Sequence, residues 1–212
     1  MRMIIVLCVV LVLTVQARAG VPPYPMLALD SESAFPVVLF CVPDGSGDDL
    51  TEAQVYGAGV HLVVDATLTA TLYDAFGTPV SFYPLEDIWL ESVQDALVFC
   101  TMGTVADAPT DAQGRTTFSG PFLVGGGMDP TAGDKLELVV GGYTDPTARV
   151  DVYLLTPDLD GDRDVDLSDV VAFVDLYWND PAYHIAVDYY HDGVLNLSDL
   201  VEFAGALNRT CP

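Results

Sequence analysis

Between Phe35 and Leu155 the chain alternates short apolar runs with breaks rich in Gly, Pro, Asp and Asn, and no stretch there sustains a 3.6-residue period. The runs FPVVLFCV, DATLTATLYD, DIWLESV, ALVFC, RTTFSGPFLV, KLELVVGG and RVDVYLL predict about seven strands. Asp74-Ala75-Phe76-Gly77 and Asp111-Ala112-Gln113-Gly114 predict turns in which the glycine takes a positive φ. After Pro157 the period changes. Leu167, Val170, Val171, Val174 and Leu176, and then Leu197, Leu200, Val201, Ala204 and Leu207, are spaced as apolar faces of two short helices. The fold class this predicts is mainly β: a β-sandwich over 35–156, followed by a small α-helical unit over 157–212.

The N-terminus carries a different pattern. Met1 and Arg2 precede an apolar run from Ile4 to Val15 and the small-residue site Ala17-Arg18-Ala19, which reads as a secretory signal peptide over 1–19. The mature chain would begin near Gly20, with 20–34 as an N-terminal leader. The apolar run falls short of the roughly 20 residues of a membrane span, and no later stretch could cross a bilayer. The expected location is secreted, extracellular or on a bacterial cell surface, without membrane insertion after cleavage.

Charge narrows the partners. The whole chain carries 7 basic and 31 acidic residues, a net charge of −24, which becomes −26 once Arg2 and Arg18 leave. Nucleic acid and anionic membranes are poor partners for such a chain. Secretion permits disulfides. Of Cys41, Cys100 and Cys211, the first two each follow a strand-like run in one domain, so Cys41–Cys100 is the expected pair, although sequence does not fix connectivity.

The most specific signal is where the acid falls. Asp158 to Asp169, DLDGDRDVDLSD, puts aspartates at positions 1, 3, 5, 7, 9 and 12 of a twelve-residue window, namely Asp158, Asp160, Asp162, Asp164, Asp166 and Asp169. That is the ligand spacing of an EF-hand calcium loop, in which alternate side chains turn inward and position 7 offers its backbone carbonyl. Thirty residues later DYYHDGVLNLSD repeats the frame, with Asp188 at 1, Asp192 at 5, Gly193 at 6, Val194 at 7, Asn196 at 9 and Asp199 at 12. The competing reading is a solvated acidic face. Against it, each window opens a helical pattern, with Asp166 and Asn196 as N-caps and Asp169 and Asp199 three residues later.

Two such loops, each followed by one helix and lacking an entering helix, resemble a type I dockerin module over Pro157 to about Cys211. The resemblance rests on DLDGDRDVDLSDVVAFVDLYW and DYYHDGVLNLSDLVEFAGAL. It implies two Ca2+ sites. The first would use Asp158, Asp160, Asp162, the carbonyl of Asp164, and Asp169, with Asp166 direct or through water. The second would use Asp188, Asp192, the carbonyl of Val194, and Asp199, with Asn196 in the water-mediated place. Tyr190 at position 3 removes a ligand, so the second site should be weaker. Arg163 at position 6 departs from glycine, at a conformational cost on the order of 1 kcal/mol. The resemblance also implies a cohesin-like protein receptor contacted by loop positions 10 and 11, here Leu167 with Ser168 and Leu197 with Ser198. Alternatively those leucines simply begin the core face of each helix. The module should be loosely ordered without metal.

Seven strands is the count of an immunoglobulin-like sandwich. TLTATLYDAFGTPV and TDAQGRTTFSG resemble bacterial immunoglobulin-like domains of the invasin and intimin type, which implies a non-catalytic spacer or adhesive domain. Enzymatic signals are weak. His61 with Asp65 would share one strand face, and Glu86, Asp87 and Glu91 around Trp89 offer carboxylates for glycosidic hydrolysis. His184 and His191 flank the second loop and are poor calcium ligands. Tyr73, Phe82, Tyr83 and Trp89 could form a sugar-stacking platform. The expected function is therefore a non-enzymatic calcium-binding docking protein; the rival is a glycan-binding or glycan-degrading component of a polysaccharide-catabolic assembly.

Overall fold

The computed structural model describes residues 26–179 and 184–212; the signal peptide assigned to 1–19 and the leader up to residue 25 lie outside the described residues. The described chain is mainly β, with strands β1 (Met26–Ser31), β2 (Val37–Phe40), β3 (Ala53–Val55), β4 (Val63–Val64), β5 (Leu68–Tyr73), β6 (Ile88–Ser92), β7 (Leu97–Phe99), β8 (Arg115–Phe118), β9 (Val124–Gly126), β10 (Leu136–Val140), β11 (Tyr143–Val150) and β12 (Val152–Leu155). Two short helices follow, α1 (Leu167–Val174) and α2 (Leu197–Ala206). The strands form four sheets, ordered β1-β5-β8, β11-β10-β6, β12-β2-β3-β4 and β7-β9. Pairing is antiparallel except between β12 and β2, where Val152 lies beside Val37 and Leu155 beside Phe40 in parallel.

Local chemistry accounts for most strands. β6 turns Ile88, Leu90 and Ser92 inward and β8 turns Thr116 and Phe118 inward, the two-residue period of a half-buried strand. The predicted turns form: Asp74 Oδ1 accepts from the amides of Phe76 (2.8 Å) and Thr78 (2.9 Å), and Asp111 Oδ1 accepts from those of Gln113 (2.8 Å) and Arg115 (2.9 Å). Gly77 and Gly114 take φ of 77° and 73°.

Three expectations are corrected. The leader is not all leader: Met26 to Ser31 is β1, paired with β5 from Met26 opposite Tyr73 to Ser31 opposite Leu68, with Leu27 and Leu29 buried. RTTFSGPFLV is two strands, because Gly120 (φ 83°) and Pro121, which has no N–H to donate, interrupt it. The disulfide joins Cys100 to Cys211, with Cα atoms 5.5 Å apart, not Cys41 to Cys100. Cys41 continues the fully buried β2 run and lies in the main core as a free thiol, whereas Cys100 Sγ lies 3.2 Å from the carbonyl of Pro43 and meets the chain terminus. Burial pushes the Cys41 thiol pKa well above its ordinary value, with Asp48 adding to the effect, so it stays protonated.

β2 and β12 are buried at every position, as strands are when both faces are covered. One face joins the main β core. On the other, Phe40 and Val42 pack with Val165, Phe173, Val187, Tyr189, Phe203 and Ala206 in a second apolar core, where the rings of Phe173 and Phe203 stack at 4.6 Å. The C-terminal unit is therefore seated on the β-layer. Thr156 and Pro157 are buried, and Asp44 pairs with Arg209 at 3.1 Å. No helix among the described residues is long and apolar enough to cross a membrane.

Candidate metal centre

The first loop begins where β12 ends. Gly126 donates its N–H to the carbonyl of Asp158 at 2.8 Å, and the Thr156 hydroxyl bonds the same carbonyl at 3.1 Å, so position 1 is fixed by β9 and by its own lead-in. Gly125 backs the loop; a β-carbon there would collide with Asp158 Oδ2. That glycine went unrecognised in the sequence, where only the Gly125-Gly126-Gly127 run hinted at a close approach.

Asp158 is fully buried and organises the turn. Its Oδ1 accepts from the amides of Gly161 (2.8 Å) and Asp162 (3.1 Å), and its Oδ2 from that of Arg163 (2.9 Å). Asp169, also buried, closes the loop from α1: Oδ1 accepts from Leu159 (2.7 Å) and Asp160 (3.3 Å), and Oδ2 from Asp166 (2.8 Å). Asp166 caps α1 by accepting from Ser168 N at 2.6 Å, completing a capping box with Asp169. With backbone amides drawn to these two carboxylates, Asp158, Asp160 and Asp162 bring one oxygen each to within 4.8 Å of one another.

Among the described residues this is the sole group of three or more His, Cys, Asp or Glu side chains so gathered. Hard carboxylate oxygens so gathered could hold a metal ion. The electrostatics agree: Asp158 is pushed up to about 6, mainly because burial strips its hydration and also because Asp169 is near. Asp160 is raised by burial and then by Asp169 and Asp162, and Asp164 by burial and then by Asp162, Asp166, Asp169 and Asp160. One Asp164 oxygen is buried without a hydrogen-bond donor among the described residues. These are groups that a cation would stabilise in their charged form.

The second loop repeats the backbone frame. Asp199 Oδ1 accepts from Tyr190 N at 3.0 Å, Asp199 Oδ2 from Asn196 N at 2.8 Å, and Asp188 Oδ2 from Gly193 N at 3.0 Å, matching the bonds of Asp169 and Asp158 position for position. Position 6 has φ of 80° in both loops, in Arg163 and in Gly193. The ligand groups differ. The Asn196 side-chain amide donates to Asp192 Oδ2 (3.3 Å) and to the carbonyl of Val194 (3.0 Å), filling acceptors that a cation would use. Tyr190 turns out and stacks on His61, ring centroids 4.5 Å apart. Asp199 is held up to about 6 by burial foremost, with Asp188 adding to it.

Leu167 and Leu197 do not begin a core face: they are 73% and 68% exposed. Ser168 is exposed and Ser198 half-buried. The core side of each helix is instead Phe173 or Phe203, with the loop-closing aspartate.

The enzymatic and sugar-binding candidates are dispersed. Asp65 accepts from Thr67 in a local turn, while His61 bonds the carbonyl of Tyr190 at 3.1 Å. Glu91 is held by the Trp89 indole N–H at 2.7 Å. Tyr83 is buried in the core, and Tyr73 and Trp89 lie in different sheets, so the four aromatics do not make one platform. No family model matches this chain, and no curated protein or solved structure does either.

Proposed function

We propose that this chain is a secreted, non-enzymatic protein whose C-terminal loop–helix pair binds calcium and docks to another extracellular protein, in the manner of a type I dockerin. The β domain, read as an immunoglobulin-like sandwich, would serve as spacer or adhesive domain. The observation that carries the reading is the duplicated exposed apolar face beside the carboxylate loops. Leu167, Val171 and Val174 on α1 and Leu197, Leu200 and Val201 on α2 are each more than two-fifths exposed, and Leu167 and Val171 recur thirty residues later as Leu197 and Val201. Such a patch on a strongly acidic chain is the signature of a partner surface. A shallow hollow of about 480 Å³ beside Val170, Val171 and Val174 gives α1 relief for an anchor.

Calcium fills the first loop in this reading and the second more weakly, since Tyr190 contributes no carboxylate and the Asn196 amide already engages Asp192 and Val194. The Cys100–Cys211 bridge suits an oxidising compartment. The test is surface plasmon resonance against a panel of recombinant type I cohesins, with calcium and with chelator. Calcium-dependent binding that survives L167D/V171D or L197D/V201D alone, but not the four substitutions together, supports docking through either half. Binding to none of the panel, or binding indifferent to the four substitutions, overturns it.

A further inference from the structure

A second polar cleft lies away from the carboxylate triad, where β3 and its approach meet the second loop and α2. It encloses about 250 Å³. Asp48 and Glu52 supply one wall and Glu202 of α2 the other, and among the described residues no lysine or arginine lines it. The crowding is felt: Asp48 is pushed up to about 6 by burial and then by Glu52 and Glu202, with His61 opposing.

Two buried side chains lining this cleft end in polar atoms without a partner among the described residues. Gln54 is 5% exposed; its Nε2 donates to the carbonyl of Glu52 at 3.2 Å, which fixes the amide orientation and leaves Oε1 as an acceptor lacking a donor. His191 is 7% exposed, with Nε2 likewise unpartnered. A buried acceptor such as Gln54 Oε1 has lost its hydration without a replacement until a donor arrives. Two stacked rings also line the cleft. The His61 and Tyr190 rings are 12° from parallel with centroids 4.5 Å apart, and His61 Nδ1 lies 3.1 Å from the Tyr190 carbonyl, which holds the pair together.

What the cleft lacks, among the described residues, is a permanently charged donor. The carboxylates are too dispersed for a point ion, since the described residues gather such ligand atoms within 4.8 Å only at Asp158, Asp160 and Asp162. The volume is below the roughly 300 Å³ at which ligand pockets begin, which excludes a sugar chain and admits one side chain. A guanidinium is planar, permanently charged, forked in its donors and stacks on aromatic faces.

We propose that this cleft binds a guanidinium group, with Asp48, Glu52 and Glu202 as counter-charges, Gln54 Oε1 as a buried acceptor and the His61–Tyr190 pair as the stacking face. The site stands independently of the docking surface on α1 and α2. The test is calorimetry on the mature protein in saturating calcium, with Nα-acetyl-L-arginine amide as probe, the neutral citrulline analogue as control, and the tripeptide Gly-Arg-Gly in parallel. Saturable arginine-amide binding, absent for citrulline and weakened at least about 10-fold in both Asp48→Asn and Glu202→Gln, is the expected result. Tighter binding of the tripeptide assigns the group to a polypeptide partner; exclusion of the tripeptide assigns it to a free small molecule. No saturation on the order of 10 mM, equal binding of citrulline, or unchanged affinity in both variants overturns the proposal. Glu202 is half-buried on a helix surface, so its variant keeps the test decisive if Asp48→Asn unfolds.

Discussion

Arg163 and Gly193 occupy the same position in two copies of one frame, and exchanging their side-chain types tests that frame with opposite signs. Both have φ of 80°. For an L-residue the left-handed region costs about 1–2 kcal/mol, and glycine gives back about 0.4–1 kcal/mol through its freer unfolded chain. Arg163→Gly should therefore stabilise the protein by about 0.5–1 kcal/mol. The bonds that hold this residue are backbone ones, its N–H to Asp158 Oδ2 at 2.9 Å and its carbonyl from Cys211 N at 3.0 Å, so glycine keeps them. Gly193→Ala should cost about the same amount. Its new β-carbon would meet only the Gly59 Cα at 3.4 Å, an ordinary contact, so strain alone is measured. Urea and thermal unfolding of the two variants in chelator would read the effect as midpoint shifts of about 2–4 °C per kcal/mol in opposite directions. A destabilised Arg163→Gly together with a neutral Gly193→Ala would refute the shared-frame argument.

Other consequences follow from the same geometry. Cys211→Ser opens a bridge spanning 111 residues and should lower stability by about 4–5 kcal/mol, read as the difference between oxidised wild type and variant in urea. Phe203→Ala removes a ring stacked at 4.6 Å on Phe173 in the second core and should cost about 3–5 kcal/mol, with helical circular dichroism lost before the β signal. Asp158 and Asp199 sit at about 6 against an ordinary 3.8, so the calcium-free protein takes up protons on folding and its stability should fall as pH rises through that interval. Calcium needs the carboxylate form, so its affinity should rise over the same interval; titrations at pH 5, 6 and 7 check both signs.

The carboxylate loops were legible because their chemistry is local. Spacing within twelve residues fixes which oxygens can turn inward, and both capping boxes formed as Asp166 and Asn196 predicted. Most strand centres were legible for the same reason, since β6 and β8 alternate. What escaped was set by distant partners. β1 looked like a leader because Leu27 and Leu29 acquire meaning only opposite β5. The bridge from Cys100 to Cys211 depends on the C-terminal unit folding back over β2, which no spacing encodes. Leu167 and Leu197 match a helical core period, yet the single buried ring of each helix, Phe173 or Phe203, leaves them outside.

Calorimetric titration of the mature protein with calcium decides whether the first loop is a calcium site, with an Asp160→Asn/Asp162→Asn variant alongside. Saturable binding to wild type is expected, with its loss in the variant, whose exposed substitutions leave the buried frame of Asp158 and Asp169 in place. Absence of binding at millimolar calcium, or equal binding by the variant, would contradict a calcium site there.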